Sequence, residues 1–288
     1  MTGSRPRQPD RRKAEHCAEA LLQELGMSTA PIDPFWVAEQ LEIEVKACST
    51  LGGAFSGCLL KSGNTFGIVY SDSIPSDGFR RFTISHEIGH QQMAWHREAG
   101  EFFQANGAHH STSDFTSRDW REGEADAFAA ALLMPRELFL TAIRSQTVGR
   151  DAIRALANHF QTSLTSTAIR YASLTPDDVA VVVSERGRVL FSFASESIHT
   201  LGGIYIAKGN PVPSRSATGR LSRDHSAVLA GQEADGTGYL GDWFENPGRE
   251  LTIYEDVLGL GSYGRVLTVL YVVDSTSEDV AENLDEEE

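Results

Sequence analysis

The run His86-Glu87-Ile88-Gly89-His90 holds the residue types that bind and use a divalent ion. Residues four apart on an α-helix share one face, about 5–6 Å apart at Cβ, so both imidazoles can reach a single ion. Neutral imidazole is a good zinc ligand, and Glu87 between the two is placed to act as a base toward water. At about 100° per residue, His86 and His90 fall about 40° apart, with Ile84, Ile88 and Trp95 opposite and Phe79, Phe82 and Met93 on the flanks. A helix apolar nearly all round is predicted to be buried. Burying two histidines and a glutamate costs several kcal/mol unless they are paired or hold a metal.

A hydrolytic zinc centre takes three protein ligands and keeps a fourth position open. The third is sought in Glu122-Gly123-Glu124-Ala125-Asp126. With Glu122 set at zero, Asp126 falls at about 40°, Leu133 at about 20° and Glu124 at about 200°, the far side. Ala125 and Ala129 lie near Glu122, and small side chains there let the two helices approach closely. Glu122 is therefore preferred to Glu124 as the ligand. Asp126, one turn later, suits a supporting role, accepting the free N–H of a ligand histidine. These donors suit Zn2+, with Mn2+ or Fe2+ as alternatives.

The elements that must position these groups are legible from periodicity. Helical spacing covers Lys13–Leu25 and Pro31–Leu41, then about Asp77–Trp95 and Arg118–Met134, with Pro135 ending the last. Strand-like runs at Glu42–Ala47, Phe55–Leu60 and Thr65–Tyr70, broken at Gly52-Gly53 and Ser62-Gly63-Asn64, predict a small antiparallel meander. A polar stretch from Gly107 to Ser113 separates the two chemical segments. Further helices are predicted near Glu137–Ile143, Arg150–His159 and Ser166–Ala172. After Pro176 the period changes to two: Val179–Ser184, a turn at Arg186-Gly187, then Val189–Phe193 reads as a hairpin. More strands are expected at Leu251–Tyr254 and Val266–Val273, around a Gly- and Ser-rich region from Gly202 to Gly248.

The sequence from Arg81 to His90, followed by Glu122 to Pro135, resembles the ImmA/IrrE metallopeptidases, and family-like sequence covers at least Pro31 to Pro135. The resemblance implies an α+β, zincin-like domain over 14–135 with a small antiparallel sheet and an HExxH helix. A helix-turn-helix-like segment over 136–175 and a β-rich, GAF-like sensor over 176–273 would follow. The basic run at the start and the acidic run at the end predict disordered tails at 1–13 and 274–288. By the same resemblance His86, His90 and Glu122 bind the metal and Glu87 is the catalytic base. The substrate would be a helix-turn-helix (XRE-type) transcriptional repressor, whose cleavage derepresses stress, DNA-damage or mobile-element genes. For the group that stabilises the oxyanion, the sequence offers Tyr70, His96, His109 and His110 without choosing among them.

The remaining features bound the reading. From Ile153 to Arg170 the chain has a helix-turn-helix cadence, and 135–170 carries five Arg against two acids. The second helix, however, begins with Thr165, Ser166 and Thr167, where a major-groove reader wants basic and amide side chains. The net charge is −15, which disfavours tight non-specific binding to phosphates. Direct DNA binding is thus the minor expectation, and a DNA- or protein-binding regulator with a merely structural metal site is the alternative reading. In Leu258-Gly259-Leu260-Gly261 no Lys-Ser/Thr follows, so no phosphate loop is present there. Three cysteines without a CxxC, no signal core after the basic start and no long apolar run point to a cytoplasmic protein with no membrane partner.

Overall fold

The computed structural model describes residues 7–49, 55–98, 102–103, 107–111, 119–201, 206–245 and 250–272. The chain forms two units, one of residues up to Gln146 together with Ile153–Arg170, the other of Thr147–Ala152 together with the chain from Tyr171 onward. The class is α+β, as the sequence implies, with one sheet in each unit.

In the first unit, Asp10 caps α1 (Arg11–Glu24) by accepting from the Lys13 amide, and Ala14, Ala18, Leu21 and Leu22 face inward at helical spacing. Part of the basic start expected to fray is therefore helix. Asp33 caps α2 (Pro34–Gln40), with Pro34 in the first turn, where its missing N–H costs nothing. The sheet has the order β1-β3-β2-β4, built from β1 (Glu44–Cys48), β2 (Gly57–Ser62), β3 (Thr65–Ser71) and β4 (Ala108–Ser111). This corrects the expected meander in two ways. The β1 strand pairs parallel to β3, because the more apolar β3, with Ile68 fully buried, takes the centre and leaves the largely exposed β1 at the edge. And β4, in the polar stretch, adds to β2 with Leu59 opposite His109. The Gly52-Gly53 break lies outside the described residues.

Two helices carry the chemical segments. Ser76 caps α3 (Asp77–Gln92), and Asp119 caps α5 (Trp120–Leu133). The helix predicted to run on to Trp95 stops at Gln92. Fully buried Met93 makes the break at φ −79°, ψ 88°, and α4 (Ala94–Glu98) sets off in a new direction. The helices α6 (Arg136–Ile143), α7 (Arg150–Phe160) and α8 (Leu164–Leu174) follow. Their larger part belongs with the first unit instead of forming a separate connector. Phe139 meets Phe160 at 5.2 Å between ring centroids, and Arg170 donates to the Met134 carbonyl at 3.1 Å and pairs with Glu15 at 3.1 Å.

Gln161 turns the chain at φ 53° between α7 and α8, which are joined by a short turn. The start of α8 is not free, however. Ser166 and Thr167 are buried, and a Cβ on Gly78 would lie 2.4 Å from the Ser163 nitrogen, so this helix start packs on the first turn of α3.

The second unit is an antiparallel sheet of order β6-β5-β9-β8-β7. Its hairpin β5 (Val179–Glu185) and β6 (Arg188–Ala194) turns at Arg186 and Gly187, both left-handed at φ 49° and 73°, as a two-residue turn of this hand requires. The chain continues through α9 (Glu196–Thr200), α10 (Ala217–Arg223), α11 (His225–Leu229), β7 (Glu233–Tyr239), α12 (Leu240–Trp243), β8 (Thr252–Gly259) and β9 (Arg265–Val272). The sequence hides β7, Glu-Ala-Asp-Gly-Thr-Gly-Tyr, because it has no apolar alternation.

Candidate metal centre

The helix that bears His86 and His90 is sequestered: every residue from Phe82 to His90 is buried. It lies close against α5 because Gly89 has no side chain; a Cβ there would sit 2.9 Å from the Phe128 ring. Across that contact Glu122, only 6% exposed, meets the histidines. His86 Nε2 and His90 Nε2 are 3.0 Å apart, and the Glu122 oxygens lie 3.4 Å from the first and 3.3 Å from the second. One donor atom from each of the three residues falls within 4.8 Å of the others.

Proton bookkeeping shows what such a cluster needs. Asp126 Oδ1 lies 2.9 Å from His86 Nδ1 and accepts its hydrogen, so a neutral His86 turns a lone pair from Nε2 toward His90 and Glu122. Lone pairs and carboxylate oxygens would then face one another without a cation. A proton is one answer: burial opposes a charge on His86, yet the Asp126 and Glu122 carboxylates outweigh it and hold its pKa well above the ordinary value. Burial likewise works against a charged Glu122, but contacts with His109, His86 and His90 keep that carboxyl well below the usual range. A divalent ion is the other answer, and two imidazoles with one carboxylate form a donor set that suits it.

Glu87 is set apart from this cluster. It is fully buried, and beyond the Ser111 hydroxyl neither carboxylate oxygen has a hydrogen-bond partner among the described residues. Burial pushes its pKa up to about 7, against the lowering influence of His86 and His109.

Residues 38–171 match the peptidase M78 family, described as the IrrE N-terminal-like domain. This span is IrrE-like. Among solved structures, a Mycobacterium tuberculosis transcriptional regulator is similar at a TM-score of 0.56 and 16% identity, covering 91% of this chain and 76% of that one. That likeness speaks to the fold alone. No curated protein matches the chain. The family match and the His86-His90-Glu122 cluster together support a site of metallopeptidase type.

Around the IrrE-like centre lies a ring of residues whose roles the sequence did not order. His109, on β4, stacks on Phe102 at 4.0 Å and donates from Nδ1 to the Phe102 carbonyl at 3.1 Å. Its Nε2 then faces Glu122 Oε1 at 3.2 Å. His96 stands behind His90, their Nδ1 atoms 2.9 Å apart, and burial pushes its pKa down to about 4. Glu124, which points away from the ligand face as the wheel requires, is fully buried and accepts from His96 Nε2 at 2.9 Å and Trp95 Nε1 at 2.7 Å. His110 packs on Phe55 and Tyr70 on Phe35, both away from the ligand cluster's hydrogen bonds. The motif spacing carried no signal for His96 and Glu124, because the turn at Met93 brings them together.

Proposed function

We propose that the chain is a zinc-dependent endopeptidase that cuts an XRE-type transcriptional repressor in the cytoplasm, derepressing stress, DNA-damage or mobile-element genes. His86, His90 and Glu122 would hold the ion, and Asp126 would orient His86 through its Nδ1–H. When bound, the ion supplies Lewis acidity toward a peptide carbonyl and a water. Glu87 takes the proton of the attacking water and passes it to the leaving amine; a carboxyl near neutrality can do both. Burial excludes bulk water from the proton's path.

The observation that carries this reading is Glu87, fully buried with no partner beyond the Ser111 hydroxyl among the described residues, beside a three-donor cluster. A structural metal site in a DNA- or protein-binding regulator has no use for such a carboxylate. Direct DNA reading through α8 is further disfavoured by the buried start of that helix. In the second unit, a cavity lined by Phe193, His199, Ile206 and Phe244 is where a GAF-like sensor would take its ligand.

The test mixes the protein, zinc and an XRE-type repressor, ideally one encoded beside it. Wild type is expected to cut the repressor at a discrete bond, and Glu87→Gln to cut it at least about a hundredfold more slowly. Equal rates for the two would remove Glu87 from the chemistry, and intact repressor with zinc-loaded wild type would remove the substrate.

A further inference from the structure

The group behind His90 forms a chain with a defined direction. Glu124 accepts hydrogens from Trp95 Nε1 and the Asp10 amide, groups that only donate, so it faces His96 Nε2 as an acceptor at 2.9 Å. With its hydrogen on Nε2, His96 offers a lone pair at Nδ1, and His90 Nδ1 lies 2.9 Å from it. His90 must then carry its hydrogen on Nδ1 and turn a lone pair from Nε2 toward His86 and Glu122. The opposite order would put a hydrogen on His90 Nε2 and disable it as a ligand.

The outer end of this chain is closed by the segment that leads into the first turn of α1. The Asp10 amide donates to Glu124 Oε1 at 2.9 Å, and Arg7 approaches the same oxygen at 3.9 Å. The Arg7 guanidinium lies 3.5 Å over the Trp120 ring, and Lys13 lies 3.8 Å over Trp95, the other donor to Glu124. Pro9 sits close over Gly123, where a Cβ would lie 3.2 Å from its ring. Four residues of one short segment thus cover one buried carboxylate and its neighbours.

We propose that Glu124 and His96 are positioning residues that fix His90 in its ligating tautomer, and that residues 7–13 seal this relay, so that docking of the segment and metal binding support each other. The proposal rests on the metal-site reading above. Linkage is reciprocal: if the docked segment favours the metal, the metal must favour the docked segment.

Zinc affinity of the full chain, measured by competition with a chromophoric chelator, tests the relay, together with the visible absorption bands of the cobalt(II)-loaded protein. His96→Phe, which leaves His90 Nδ1–H without an acceptor, and the isosteric Glu124→Gln are expected to weaken zinc binding by about 10–100-fold. Both should also shift the cobalt bands, and His96→Asn, which restores an acceptor, should recover part of the loss. Trypsin cleavage after Arg7 and Arg11 should slow when zinc is added to wild type, and zinc should protect Glu124→Gln less. Unchanged affinity and cobalt bands in Glu124→Gln would overturn the positioning role, whatever the stability of His96→Phe. Zinc-independent cleavage of the segment in wild type would overturn the linkage. Failure of wild type to bind either metal would instead overturn the underlying site.

Discussion

At the scale of single residues, the centre depends on where hydrogens are allowed to sit. Asp126 and His96 accept from the Nδ1 atoms of His86 and His90, and this turns both Nε2 atoms toward Glu122. Electrostatics of the same buried region reach a neighbour that has no part in the chemistry. Cys58, on β2, is 2% exposed, and burial followed by the charge of Glu87 pushes its thiol up to about 11. At pH 8 only about one part in a thousand of such a thiol is thiolate, the reactive form. Iodoacetamide at pH 8 is therefore expected to modify half-buried Cys48 well before Cys58, with Cys58 reacting only as the pH approaches 11 or as the protein unfolds. Peptide mapping by mass spectrometry checks the order, and early labelling of Cys58 would contradict its placement against Glu87.

At the scale of elements, α3 is gripped from two sides: α5 at Gly89 and the start of α8 at Gly78. Gly78→Ala weighs two effects against each other. Alanine is the better helix former by about 1 kcal/mol. Overpacking costs about 1–3 kcal/mol, and here the obstructing atoms are the backbone of Thr162 and Ser163, at 2.4 Å, which cannot swing aside. Steric cost wins, and the variant is expected to lose about 1–2 kcal/mol in urea denaturation; a gain in stability would show that α8 does not rest on α3. The contact at Gly78 was not visible in the sequence; the close approach of α3 and α5 was, though through Ala125 and Ala129 and not through Gly89. Their apolar period and the polar residues at fixed offsets announce helices and a shared ligand face, so His86, His90, Glu122 and Asp126 could be singled out together. The strand carrying His109 was hidden because Ala-His-His-Ser has no alternation, and it exists only by pairing with β2. The contact of His96 with Glu124 was hidden for another reason: a turn at Met93 sets their meeting, and no period describes a turn.

At the scale of the whole molecule, the two units should answer differently to metal. All three candidate ligands come from α3 and α5, both in the first unit, so a metal ion held there would favour that unit's folded form, with no comparable cluster elsewhere among the described residues. Free zinc at about a hundred times its Kd adds about 2.7 kcal/mol, or about 5–10 °C in the melting temperature of a unit this size. Calorimetry with and without a chelator is expected to move one transition by that amount and leave the other in place; two transitions moving equally would mean that ion binding is not confined to the first unit. No helix among the described residues is long and apolar enough to cross a membrane. The predicted boundary near Pro176 falls just past the last passage of the chain between units, at Arg170 and Tyr171, but two earlier passages, at Gln146 and Ala152, escaped notice. They have a practical consequence for anyone who would dissect the protein. The chain leaves the first unit after Gln146, spends six residues in the second, and returns at Ile153 to supply most of α7 and most of α8 before leaving for good. No single cut yields both halves whole: a fragment ending at Pro135, where the motif ends, would lack Arg170, which pairs with Glu15 and donates to the Met134 carbonyl. A cut after Leu174 keeps those contacts and takes ten residues, Thr147–Ala152 and Tyr171–Leu174, from the second unit, which makes it the better place to stop.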